Sequence, residues 1–173
     1  MEKLEIEIAE IITEYRDRTG KQLTIGTTES ATGGGIADRL TNTPGSSDYF
    51  KGSVVAYSDK VKIDILGVRE ETIENHGAVS SQTAIEMAQG GKSLLGVDIC
   101  VSDTGIAGPS GGSSEKPVGL FYIGLAARDD KFSSSYVLQG NREENKRHAV
   151  EEALNILKQY LIQYLNKWER EQL

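Results

Sequence analysis

Apolar residues change their spacing several times along the chain, and each change predicts an element. Leu4, Ile8, Ile11, Ile12 and Tyr15 share one face of a 3.6-residue period. They predict an amphipathic helix over 3–18, stopped at Thr19-Gly20-Lys21. Leu23–Thr28 is a short β-prone run, followed by a helix over Gly33–Asn42 that opens on glycines and ends before Pro44. Ser53–Tyr57 predicts a strand, Asp59–Leu66 a helix closed by Gly67, and Val68–His76 a turn of helix with a loop. Ser80–Leu95 is a helix with serine capping candidates in front and Gly96 behind. Three strands follow, at Asp98–Asp103, Val118–Arg128 and Ser133–Leu138. Asp129-Asp130 joins the last two as a hairpin. A final helix over about Arg142–Trp168 carries Val150, Leu154, Leu157, Leu161, Tyr164 and Trp168 on one stripe, which reads equally as core or as a dimer seam.

The order α-β-α-β-α-α-β-β-β-α predicts one α/β domain over 1–173. Its sheet is mixed and helix-covered on both faces, with at least one antiparallel strand. The 173 residues suffice for a full core without staples. A net charge of −7 supplies no basic face for nucleic acid. No apolar run approaches the ~20 residues of a membrane span. The single cysteine, Cys100, forms no internal disulfide and sits in an apolar run, which fits a reducing, cytoplasmic compartment. Two isolated histidines and one cysteine leave no zinc set, and no cofactor is implied.

Two glycine-rich turns, Thr28–Gly35 and Thr104–Gly112, each follow a predicted strand, and together they predict one small-molecule site. The first is neither a Walker A loop nor a GxGxxG fingerprint. It reads as a helix-terminus anion site or as a tight turn capped by Thr32. Glu29 inside it orients a neighbour or caps the helix. The second turn offers backbone donors for an oxyanion. Ser47, Tyr57 and Lys62 form a histidine-free nucleophilic set if Lys62 is desolvated and neutral. Read singly, they are a helix cap, a core aromatic and a solvated charge. Arg142, opening the last helix, is a phosphate clamp or a surface charge, and Lys116 carries the same ambiguity.

Thr28-Glu29-Ser30-Ala31-Thr32-Gly33-Gly34, Gly45–Gly52, Val55–Lys62, His76–Ser80, Thr104–Pro109 and Lys116–Gly119 occur in an order that resembles the CinA carboxy-terminal domain family over about residues 5–165. The resemblance implies a three-layer α/β/α sandwich with a mixed, mostly parallel five-stranded sheet. It also implies an amidohydrolase of pyridine-nucleotide salvage that converts nicotinamide mononucleotide to nicotinate mononucleotide and ammonia. The chain looks like the amidase domain without a larger amino-terminal domain. The implied functional positions are Ser30, Ser47, Tyr57, Lys62, Thr104, Gly105 and Arg142. Ser47 is expected to attack the carboxamide, with Lys62 as base and Tyr57 in the proton path. Thr104 and Gly105 hold the oxyanion, and Ser30 lines the site. The substrate phosphate rests on Arg142 or on the helix opening at Gly33. Two departures stand out: Ala31 where the family usually has cysteine, and Asn141 where it has aspartate. The other readings are a non-catalytic nucleotide-binding module and an amidase for another small carboxamide. A homodimer or higher homo-oligomer is compatible with either.

Overall fold

The computed structural model describes residues 3–171. Helix α1 (Leu4–Thr19) leads into β1 (Ile25–Glu29) and α2 (Gly35–Thr41). A single 3-10 turn (Ser46–Asp48) precedes β2 (Phe50–Val55), α3 (Asp59–Leu66), α4 (Glu70–His76) and α5 (Ser81–Leu95). Then come β3 (Ile99–Gly105), β4 (Leu120–Ala126), β5 (Lys131–Val137) and α6 (Arg142–Glu171). No described helix is long and apolar enough to cross a membrane.

The sheet order is β2-β1-β3-β4-β5. β1 pairs in parallel with both β2 and β3, whereas β3–β4 and β4–β5 are antiparallel. Four strands therefore run one way and β4 alone opposes them, as the mixed, mostly parallel expectation had it. Two boundaries differ usefully from the sequence pattern. β2 starts three residues early and releases Tyr57 into a loop. The 70–76 segment forms a full helix, its first turn carrying Glu70 and Glu71, which suit the positive helix end.

Alternation along the strands sorts residues to two faces. Ile25, Ile99, Val101, Ile123 and Leu125 join α1, α2 and α6 in the main core. On the other face Thr28 bonds the Met87 carbonyl and Ser102 the Ala84 carbonyl, both in α5. The stripe on α6 is core within the chain: Tyr15 of α1 lies 5.6 Å from Tyr164 and 6.5 Å from Trp168, ring centre to ring centre.

Gly90 and Gly91 inside α5 permit a close crossing. A Cβ on Gly90 would stand 1.7 Å from the Leu66 carbonyl oxygen, and one on Gly91 2.2 Å from the Thr28 side chain. Glycine-to-alanine in a helix interior ordinarily gains about 1 kcal/mol. Here the clash is with backbone, so Gly90→Ala is expected to lose about 2–3 kcal/mol in urea unfolding. Because α3 must shift, it also displaces Lys62.

Candidate functional site

The carboxyl ends of β1, β2 and β3 meet at one edge of the sheet, where open α/β sheets place ligands. β1 leads into Ser30 and β2 into Tyr57 and α3, while β3 finishes on Thr104 and Gly105. A cavity of about 170 Å³ lies there, lined by Ser30, Ala31, Tyr57, Asp59, Lys62, Ala78, Val79, Thr104, Gly105, Ala107 and Arg142.

Lys62 is the side chain around which the cavity is organised. Ser58 caps α3 by accepting from the Val61 N–H, and this turns Lys62 back toward β1. The lysine is only 2% exposed. Its Nζ lies 3.0 Å from Ser30 Oγ and 3.2 Å from the Tyr57 carbonyl oxygen, with Asp59 Oδ1 at 4.0 Å. Burial pushes the amine below the ordinary lysine range, while the charges of Asp59 and Asp103 oppose that shift. A neutral amine at that distance accepts the Ser30 proton.

Ser47 is not part of this arrangement. It sits exposed in the 3-10 turn before β2, its carbonyl accepting from Lys51 Nζ at 3.1 Å. Six residues of strand carry the chain about 20 Å from there to the end at which Lys62 stands. The serine beside the lysine is Ser30, expected only to line the site. Tyr57 also differs from expectation. Its ring is 63% exposed, and its hydroxyl accepts from Arg142 Nη2 at 3.1 Å rather than meeting Ser30 or Lys62. It reaches the lysine through its carbonyl alone.

The first glycine turn is built by acids. Glu29, fully buried, accepts the N–H groups of Gly34, Ile36 and Ala37 at 2.8–3.0 Å. The α2 terminus expected to hold a phosphate is thus already capped from within the chain, and Gly33 lies exposed outside the cavity lining. Its φ of +65° and the +100° of Gly34 are the left-handed values that require glycine in this turn. The Thr32 hydroxyl, with one proton to donate, sits between the carboxyls of Glu29 and Asp103.

The second glycine turn is pinned by the start of α6. Arg142 Nη1 donates to the Gly108 carbonyl at 2.8 Å, and Asn145 Nδ2 to the Ala107 carbonyl at 3.0 Å. Thr104 gives its hydroxyl to the Ala78 carbonyl at 2.8 Å, and Lys116 Nζ reaches the His76 carbonyl at 2.5 Å. Arg142 and Ala107 also border a wider cleft of about 600 Å³, with Pro109, Val118, Gly140, Asn141 and Glu143. Cys100 stays out of the chemistry: it is fully buried, and burial pushes its thiol up to about 12.

Sequence reasoning passed over Asp59, Asp103 and Asn145. Asp59 alone carried a signal, three residues before Lys62 on the same helix.

The CinA C-terminal domain family matches residues 6–161. The chain belongs to this family. It is 49% identical over 142 residues to a CinA-like protein of Dictyoglomus thermophilum, and 50% identical over 143 residues to one of Chloroherpeton thalassium. These alignments cover 82% and 80% of this chain but 34% of each relative, so the chain spans about a third of the length of the curated relatives it matches. Solved structures match nearly end to end. The competence or damage-inducible protein of Enterobacter asburiae superposes with a TM-score of 0.84 at 30% identity, covering 91% of this chain and 96% of that one. The competence/damage inducible protein of Agrobacterium tumefaciens gives 0.81 at 38% identity, covering 94% and 95%. The three-layer α/β fold is the one these CinA structures share.

Proposed function

We propose that this CinA domain is an amidohydrolase that converts nicotinamide mononucleotide to nicotinate mononucleotide and ammonia, with Ser30 as nucleophile and Lys62 as base. The observation that carries the chemistry is the 3.0 Å approach of Lys62 Nζ to Ser30 Oγ inside the cavity. The choice of substrate comes from the family resemblance.

Ser30 Oγ attacks the carboxamide carbon as its proton passes to the neutral Lys62 amine. The lysine ammonium then gives that proton to the leaving nitrogen, ammonia departs, and an acyl-Ser30 ester remains. Water adds to the ester with Lys62 again taking the proton, and collapse returns a proton to Ser30 Oγ. The developing oxyanion meets the backbone around Gly105 and the Ala31 N–H. The N–H groups on either side of Ala31 are committed to Asp103, whereas its own has no partner among the described residues. One such donor is typically worth about 3 kcal/mol of barrier.

A volume of about 170 Å³ equals that of roughly six waters, enough for a head group but not a whole mononucleotide. The ribose and phosphate therefore extend past Tyr57 and Arg142 into the wider cleft. Arg142 replaces the α2 terminus as the phosphate partner.

Ammonia release by the purified protein tests this reading. Nicotinamide mononucleotide is expected to be turned over with kcat/KM at least ~10-fold above free nicotinamide, which lacks the phosphate. No ammonia from either compound overturns the assignment. Equal turnover of both indicates an amidase for another carboxamide, and tight nucleotide binding without turnover indicates a non-catalytic module.

A further inference from the structure

Asp103 is an ionisable side chain with no exposure, placed on the central strand β3 beneath the Ser30 turn. Its Oδ1 accepts the Ser30 N–H at 3.0 Å and its Oδ2 the Thr32 N–H at 3.1 Å. The Thr32 hydroxyl lies 2.5 Å from Asp103 Oδ1 and 2.6 Å from Glu29 Oε2, so one threonine links two buried carboxylates. Glu29 has its own task as the cap of α2. Asp103 has no such task. All its side-chain hydrogen bonds go to the residue that carries the nucleophile and to the one two places on.

The charge of the same carboxylate also acts on the base. Lys62 has Asp59 on its own helix at 4.0 Å and the Tyr57 carbonyl at 3.2 Å, feels the charge of Asp103 from β3, and shares its cavity with Arg142. Asp103 in turn feels the charge of Glu29, with which it shares the Thr32 hydroxyl. A carboxylate near a desolvated amine favours its ammonium form.

We propose that Asp103 is a positioning residue for the Ser30–Lys62 pair: it clamps the backbone on both sides of Ala31 and so fixes where the Ser30 hydroxyl points. Its negative charge also favours the ammonium form of Lys62, so its removal makes the amine easier to deprotonate. Burial pushes the Asp103 carboxyl up to about 6, the Thr32 and Ser30 bonds opposing and the Glu29 charge adding. The clamp therefore takes up a proton at a higher pH than an exposed aspartate does.

The mechanism of this effect rests on the amidase reading, but one arm of the test does not. In protein labelled with ¹⁵N-lysine, the Lys62 signal is assigned by its loss in Lys62→Met, and its titration is followed in wild type and in Asp103→Asn. Its midpoint is expected to fall by about one pH unit in Asp103→Asn. In the kinetic arm kcat falls at least ~10-fold with KM within about twofold, and the acid limb of the rate profile moves to lower pH. Should Asp103→Asn not fold, Thr32→Val serves instead. It removes the hydroxyl bond that helps keep Asp103 ionised, so the Lys62 midpoint moves the same way by a smaller amount. An unmoved Lys62 midpoint overturns the proposal whatever the rate does, because a merely structural role lowers the rate without moving that titration. Absence of ammonia from the wild type overturns the amidase reading and leaves the titration arm intact.

Discussion

Ser30→Ala is expected to lower kcat for deamidation of nicotinamide mononucleotide by at least ~10³-fold, whereas Ser47→Ala stays within about twofold of wild type. A factor of 10³ corresponds to about 4 kcal/mol of barrier. The contrast follows from position. Ser30 is 7% exposed, 3.0 Å from an amine that burial favours as neutral, and its backbone is held by Asp103. Ser47 is exposed at the opposite end of β2, where the neighbouring Lys51 amine bonds its carbonyl and not its hydroxyl. The alanine at position 30 removes one oxygen from a turn whose other bonds go to Glu29 and Asp103, so the fold should survive and substrate binding should persist. Trapping the ester gives a second readout: mass spectrometry of quenched wild type should find an acyl adduct on the peptide containing Ser30. An adduct on Ser47, or full activity in Ser30→Ala, reverses the assignment.

The misplaced serine shows what was legible in the sequence and what was not. The order of strands and helices was legible, and so were the two glycine turns, because period and punctuation are local. The rule that excludes Ser47 was also available. Ser30 and Lys62 come after strands of the parallel set and Thr104 at the carboxyl end of one, whereas Ser47 comes before one. Residues at opposite ends of a six-residue strand cannot meet. What local patterns could not show is what fills the first turn. Glycines before a helix suggest an open anion site, but a carboxylate from the preceding strand, Glu29, already occupies it. The sequence left Glu29 between orienting a neighbour and capping the helix, and the fold selects the cap. Asp103 was hidden for the same reason. In an apolar strand it reads as the strand's polar end, and its partners lie 71 and 73 residues earlier in the chain. Asn145 likewise reads as one polar residue in a polar helix start, although it is fully buried and bonded to the Ala107 carbonyl.

Lys62→Met separates the chemical use of the lysine from its structural cost. Methionine keeps an unbranched side chain of similar length without the amine. Deamidation should fall by ~10²–10⁴-fold, the usual worth of a positioned general base. Stability should move the other way. Burial holds the folded lysine below its unfolded value of about 10.4. Between those two values the unfolded chain binds more protons than the folded one, so stability rises with pH through that window. Below the window the folded protein bears the cost of a buried ammonium, only partly offset by Asp59 and Asp103. Above about pH 10.4 the lysine is neutral in both states and that cost vanishes. Lys62→Met should therefore melt no lower than wild type at pH 7, and its advantage should shrink as pH is raised toward 10. Thermal unfolding at several pH values gives the difference directly. A variant that melts well below wild type at pH 7 would mean that the bonds to Ser30 and Tyr57 outweigh desolvation, so that Lys62 holds the turn together as much as it serves the reaction. The expected pattern is instead a stable, inactive protein. It follows from placing a lysine where water is excluded, since the desolvation that costs stability is what leaves the amine able to accept a proton from Ser30.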